Sequence, residues 1–173
     1  WNPVLFNVQN KLFLFYKIGP SPSTWWGAYK ISKDRGETWS DKKLLPKGIL
    51  GPIKNKPIQL ENGRIVSPSS VELQDGEVWH AHMEISDDLG ETWRIVPVNQ
   101  DSDYKVIQPT IVQLKNGDLK AFFRSDQDVI LESFSKDDGA TWSDFSRSEL
   151  ANPNSGIDAV GLKNGGFLMV YNP

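Results

Sequence analysis

The sequence predicts an all-β chain of consecutive four-stranded antiparallel units, from two repeats and the composition between them. A Ser-x-Asp-x-Gly-x-Thr-Trp segment occurs at Ser32–Trp39, Ser86–Trp93 and Ser135–Trp142, its Asp residues 54 and then 49 positions apart. A Leu-x-Asn-Gly segment runs out of phase with it at Leu60–Gly63, Leu114–Gly117 and Leu162–Gly165, at intervals of 54 and 48. Between these punctuators lie short runs rich in Val, Ile, Phe, Trp and Tyr, and no segment sustains a helical apolar period between caps. Four strands per unit of about 50 residues is the period of a β-propeller blade.

Taken in order, the first unit should place strands at 3–8, 11–18, 25–32 and 38–45. The second should use 55–60, 64–72, 77–86 and 92–98, and the third 105–114, 118–125, 128–135 and 141–147. A fourth unit begins at 157–162 and 166–172. Blades therefore fall at approximately 1–50, 51–100, 101–150 and 151–173, the last incomplete, within one partial propeller domain over 1–173. The Asn-Gly pairs are read as type I′ turns, which need positive φ at both central residues. Gln9-Asn10 takes their place in the first unit.

The Ser-Asp-Gly-Thr-Trp segments are read as folding devices at the turn between third and fourth strands. The Asp carboxylate accepts from turn amides, Gly supplies a left-handed backbone angle, and Trp packs between neighbouring blades. Asp34, Asp88 and Asp137 are therefore not candidates for chemistry.

Composition narrows the function classes. The 173 residues are 38% hydrophobic and carry 19 basic against 22 acidic side chains, a net charge of −3. That balance gives no general pull toward nucleic acid, so none is expected as a partner. Cysteine is absent, which removes disulfides and thiolate metal sites. The longest clean apolar stretch, Leu12–Tyr16, is far short of the ~18 residues of a spanning helix. The sequence starts at Trp1, shows no signal peptide, and stops in an apolar run, so it is read as part of a longer chain.

A four-stranded meander puts its tight turns at one end and its longer loops and inter-blade links at the other. A ligand site belongs at the loop end, near the axis, where first strands begin and second strands end. The candidates there are Lys17, Lys54, Asn55, Lys56, Gln108, Arg124, Asn154, Ser155 and Asp158. Arg124 can offer a bidentate fork to a carboxylate or sulfate, or form a blade-to-blade salt bridge. Lys17, Lys54 and Lys56 add positive charge, or are simply solvated. Trp25 and Trp26 can stack on a sugar ring or pack in the core. Asp158 is an acid/base group, a hydrogen-bonding partner for sugar hydroxyls, or a strand cap. His80, His82 and Glu84 alternate along one side of a third strand, opposite Trp79, Ala81, Met83 and Ile85. That stripe could bind a metal, supply acid/base groups, or be a hydrogen-bonded seam between blades; the two histidines are kept as catalytic candidates.

The Asp boxes, with Trp1-Asn-Pro-Val-Leu-Phe6, Phe15–Trp26, Leu50–Pro57, Ile107-Gln-Pro109 and Asn152–Asp158, resemble the sialidase (neuraminidase) superfamily of BNR-repeat proteins, and in particular its predicted-neuraminidase branch. The resemblance implies a sialidase-type β-propeller, here about three and a half blades of a six-bladed ring, expected to be inactive on its own. It implies an exo-α-sialidase-like glycoside hydrolase that removes terminal acidic sugars, with an acidic glycan as its partner, no cofactor and no metal. Arg124 matches the place of an arginine that grips the substrate carboxylate. Gln108 stands where the family puts the Glu that activates a Tyr nucleophile, and an amide cannot act as a base. The nucleophile and acid belong to blades not found in this sequence. The alternatives are another polysaccharide-processing enzyme using a His acid/base on a uronate or rhamnose-containing substrate, or a glycan-binding propeller without catalysis. A secreted or periplasmic location fits the resemblance better than a cytoplasmic one.

Overall fold

A computed structural model of the chain describes residues 1–73, 76–98 and 103–173. Its strands form consecutive antiparallel meanders. The first sheet contains β1 (Val4–Val8), β2 (Lys11–Ile18), β3 (Trp26–Ser32) and β4 (Lys43–Leu44), with a 3-10 turn at Pro22–Thr24 before β3. The second contains β5 (Ile58–Gln59), β6 (Ile65–Leu73), β7 (Val78–Ser86) and β8 (Arg94–Pro97). The third contains β9 (Val106–Gln113), β10 (Leu119–Ser125), β11 (Val129–Ser135) and β12 (Ser146–Ala151). β13 (Asp158–Gly161) and β14 (Phe167–Val170) pair as a two-stranded sheet. No described helix is long and apolar enough to cross a membrane.

The sheets pack face to face, and the side-chain period of two explains how one strand serves two interfaces. Ile65 joins the core made with Val4, Phe13 and Phe15 of the first sheet, while its neighbour Val66 points into the core shared with the third. In β10, Ala121 and Phe123 face the second sheet, whereas Phe122 faces Ile157 and Ala159 of the fourth. Such central strands are buried on both sides, which is why they read as near-continuous apolar runs. Each buried Val, Leu, Ile or Phe contributes roughly 1.5–3 kcal/mol.

The Asp boxes are closed hydrogen-bonded turns. The Ser32 hydroxyl donates to Asp34 Oδ1 and accepts from the Gly36 amide. Asp34 accepts from both the amide and the hydroxyl of Thr38, and the Trp39 indole donates to the Gly36 carbonyl. The same bonds recur around Asp88 and Asp137. The Thr bonds come first among the causes that hold the Asp34 and Asp88 carboxyls down at about 2 and lower that of Asp137. Each later box Trp packs back on the preceding sheet: Trp93 meets Phe15 edge-on at 6.3 Å, and Trp142 joins the core between the second and third sheets. Not only the box glycines but also the residues before them, Arg35, Leu89 and Asp138, are left-handed.

The structure corrects two expectations. The Asn-Gly turns are not type I′. Only Gly63, Gly117 and Gly165 have positive φ, and the bonds Gly63 N to Leu60 O and Leu60 N to Arg64 O close a three-residue loop. The extra residue before Asn relaxes the turn into the three-residue class, whose last position is left-handed. The two-residue turn with both angles positive is Gln9-Asn10, at φ of 45° and 64°. The fourth strands also start later than expected in the first and third sheets. Residues after the box Trp are first held by bonds such as Ser40 N to Ile31 O and Ser143 N to Phe134 O, so β4 begins at Lys43 and β12 at Ser146.

Replacing Phe123 by Ala removes a fully buried ring stacked edge-on against Phe145 at 5.0 Å. It should cost about 3–5 kcal/mol in denaturant unfolding. The depressed box carboxyls stabilise the fold above their unfolded value of 3.8, and that contribution is lost as pH falls toward about 2. The thermal midpoint should therefore fall over this window, and less steeply in an Asp34→Asn/Asp88→Asn variant.

Candidate functional site

Register fixes the two ends of the molecule. Leu119 pairs with Ser135 at the box end of β10, while Arg124 pairs with Ile107 at the other. Five residues at about 3.4 Å each separate Arg124 from the box end by about 17 Å. The β10–β9 register shifts between Phe122 and Arg124, where Gln108 and Pro109 of β9 together stand against Phe123.

Arg124 is the point where three sheets meet. Its Nε donates to Asn154 Oδ1 at 2.8 Å and its Nη1 to Gln108 Oε1 at 3.2 Å. Its guanidinium carbon lies 5.5 Å from the centre of the Trp79 ring, on β7 of the second sheet. These partners are all uncharged, and no described carboxylate forms a salt bridge with Arg124. Burial lowers its pKa, and the charge of Glu72 opposes that shift.

Lys54 adds a second cation. Its Nζ donates to the Ile157 carbonyl at 2.7 Å and reaches Asn55 Oδ1 at 3.4 Å. Burial lowers its pKa first; Asp158 opposes this, while Arg124 and Lys56 reinforce it. Gly156 leaves room for its stem, since a Cβ there would stand 2.8 Å from Lys54 Cε. Asn55 is buried and donates to the Gln108 and Pro109 carbonyls at 2.9 and 3.0 Å, tying the second sheet to the third. Lys56 forms a salt bridge with Asp158 at 3.0 Å, and Thr110 donates to the same carboxylate at 3.2 Å. Asp158 is thus held by a cation and a hydroxyl. Ser155 is half-buried, its amide donating to Asn152 Oδ1 at 2.8 Å.

One feature of this rim was not read from the sequence. Asn2, Lys54, Gln108 and Asn154 all have positive φ, between 45° and 66°. Asn2, Lys54 and Gln108 stand 52 and 54 positions apart, the same intervals as Asn10, Asn62 and Asn116, so they occupy one blade position. Each loop-end entry is turned in a conformation that non-glycine residues seldom adopt. Aligning the units on their hairpin turns would have revealed the shared position, though not its backbone angle.

Other candidates lie elsewhere. Lys17, expected at the rim, is 2% exposed. Its Nζ donates to the Pro52 carbonyl at 2.9 Å, and burial pushes its pKa down to about 8 against the opposing charge of Glu84. His82 is buried too, its Nε2 3.2 Å from Glu84 Oε1. Glu84 accepts from the Leu50 and Gly51 amides at 2.8 and 2.6 Å, so it clamps the link between the first and second sheets. The seam reading of the stripe therefore holds for His82 and Glu84, while His80 is half-buried nearer the loop end. Among the described residues no group of three or more His, Asp or Glu side chains converges as metal ligands. Trp25 packs on Trp1 with ring centres 5.6 Å apart, and Trp26 is 67% exposed beside an apolar pocket of about 460 Å³ that reaches Leu44 and Pro46.

Comparison with known proteins agrees with this architecture. The BNR repeat-like domain matches residues 1–173. The anhydrosialidase of Macrobdella decora is 30% identical over 154 residues, 80% of this chain and 19% of that protein. A crystal structure of a protein of unknown function from Dyadobacter fermentans superposes with a TM-score of 0.79 at 20% identity, over 98% of this chain and 56% of that one. Trypanosoma rangeli sialidase in complex with 2,3-difluorosialic acid superposes with a TM-score of 0.69 at 21% identity, over 98% of this chain and 33% of the enzyme. The fold is that of the sialidase β-propellers. The chain spans only about a fifth of the curated anhydrosialidase it matches.

Lys17 binds its proton more weakly folded than unfolded, where the ordinary value is 10.5. Stability should therefore rise with pH from about 8 to 10.5, by about 3 kcal/mol if the whole shift is expressed. Denaturant melts across this range should show the rise in the native sequence and a smaller one in Lys17→Met.

Proposed function

The chain belongs to the family of BNR repeat-like domains, and from that premise we propose that it forms part of a sialidase-like glycoside hydrolase that removes terminal acidic sugars from glycans. The observation that carries this reading is Arg124. Its guanidinium is fixed by two neutral amides and an indole, and its Nη2 donates to no described residue. An arginine held this way keeps charge and donors for an anion from outside, and a sugar carboxylate matches its fork. Lys54 stands close enough to Arg124 for that charge to help burial lower the proton affinity of Lys54, so the rim is electropositive where the sugar acid would lie. The side-chain amide N–H groups of Asn154 and Gln108, whose oxygens accept from Arg124, can donate to its hydroxyls.

In this reading the described sheets are about three and a half blades of a six-bladed ring, whose remaining blades supply the nucleophile and the acid. A second reading, a glycan-binding propeller without catalysis, is favoured by Gln108. Its amide occupies the position where the sialidase resemblance places a nucleophile-activating carboxylate, and it is already engaged with Arg124.

In the intact polypeptide that contains these blades, Arg124→Ala should lower kcat/KM for a fluorogenic sialoside by about 100-fold, the loss of two charge-assisted hydrogen bonds. Absence of sialoside turnover by the unmutated protein at every pH would sink the hydrolase reading. Sialic acid binding without product by mass spectrometry would install the second.

A further inference from the structure

Trp79 carries an inference that rests on the reading of Arg124 above and adds a residue to it. On β7 the side chains of Ala81, Met83 and Ile85 face the third sheet and are buried in the core shared with it. Trp79 continues that stripe to the loop end, where its ring meets the Arg124 guanidinium at 5.5 Å. The indole Nε1 is buried and has no hydrogen-bond partner. A ring placed there for packing alone would sit more cheaply as Phe or Leu, without an unsatisfied N–H. Its neighbour in register on β6 is Glu72, whose charge is felt at Arg124 without a salt bridge.

We propose that Trp79 is a positioning residue that gives the site its selectivity for anionic sugars, by holding the Arg124 guanidinium against its ring face. The physical reason is the choice of counter-group. A carboxylate beneath Arg124 would orient it but would also compete with the ligand for its donors and cancel its charge. An aromatic face attracts the cation through its quadrupole and leaves the outward N–H groups unoccupied. Gln108 and Asn154 fix the guanidinium in its plane, and Trp79 fixes the plane itself. The constraints come from its own sheet, from the second sheet and from the link that leads to the fourth, so the arginine is fully set only when the sheets are docked.

The test measures binding of N-acetylneuraminic acid and of its uncharged methyl ester by calorimetry, in the intact polypeptide. Trp79→Leu should weaken binding of the acid by about five- to ten-fold and leave the ester within two-fold. Trp79→Phe, which keeps a ring and guards against a folding defect, should restore most of the acid affinity. In an Arg124→Ala background Trp79→Leu should have no further effect on the acid. Equal losses for acid and ester, or acid binding unchanged in Trp79→Leu while Arg124→Ala weakens it, would overturn the role of Trp79 alone. Acid binding unchanged in Arg124→Ala would overturn the reading of the site and this inference with it.

Discussion

A twisted four-stranded sheet has two apolar faces and no means of covering either by itself, so each sheet here is stable only as a neighbour. That constraint organises the molecule. Ile65 and Val66, or Phe122 and Phe123, are adjacent in sequence yet belong to different interfaces. The box tryptophans Trp93 and Trp142 reach back across the same interfaces, so each turn that closes one sheet also seals it to the one before.

The rim follows from the stacking. Face-to-face packing brings the starts of the first strands together at one end, where the chain must turn from an inter-sheet link into a strand. The entries bend through left-handed residues and are fastened by side chains from other sheets: Asn55 to Gln108 and Pro109, Lys54 to Ile157, Lys56 to Asp158. Polar groups therefore concentrate where the strands begin, and most of them bond to each other. Arg124 differs because its partners are neutral and its Nη2 donates to no described residue. The buried Lys17, His82 and Glu84 show the opposite use of charge, with the carboxylate consumed by the amides of a link it holds in place.

Much of the fold was legible because it is written locally and repeated. Ser, Asp, Gly, Thr and Trp at fixed spacing specify a turn whose hydrogen bonds lie within eight residues, and three copies set the period. Alternation also separated His82 and Glu84 from Met83 and Ile85 correctly. Turn type was misread, because Asn-Gly serves both a two-residue and a three-residue loop and only the backbone angle before it separates them. Lys17 was misplaced because a lysine at a strand end looks the same whether a neighbouring sheet covers it or solvent does.

Sequence alone determined most of the strands, the box turns, and the placing of Arg124 at the end of the molecule opposite the boxes, since each depends on residues close together in the chain or on the period itself. Tertiary structure decided which rim groups are spent on one another and which keep hydrogen-bonding capacity unused. That outcome depends on contacts between residues 30 to 103 positions apart, such as Arg124 with Asn154 and Lys54 with Ile157. No local pattern encodes such contacts, because they exist only once separate sheets have docked.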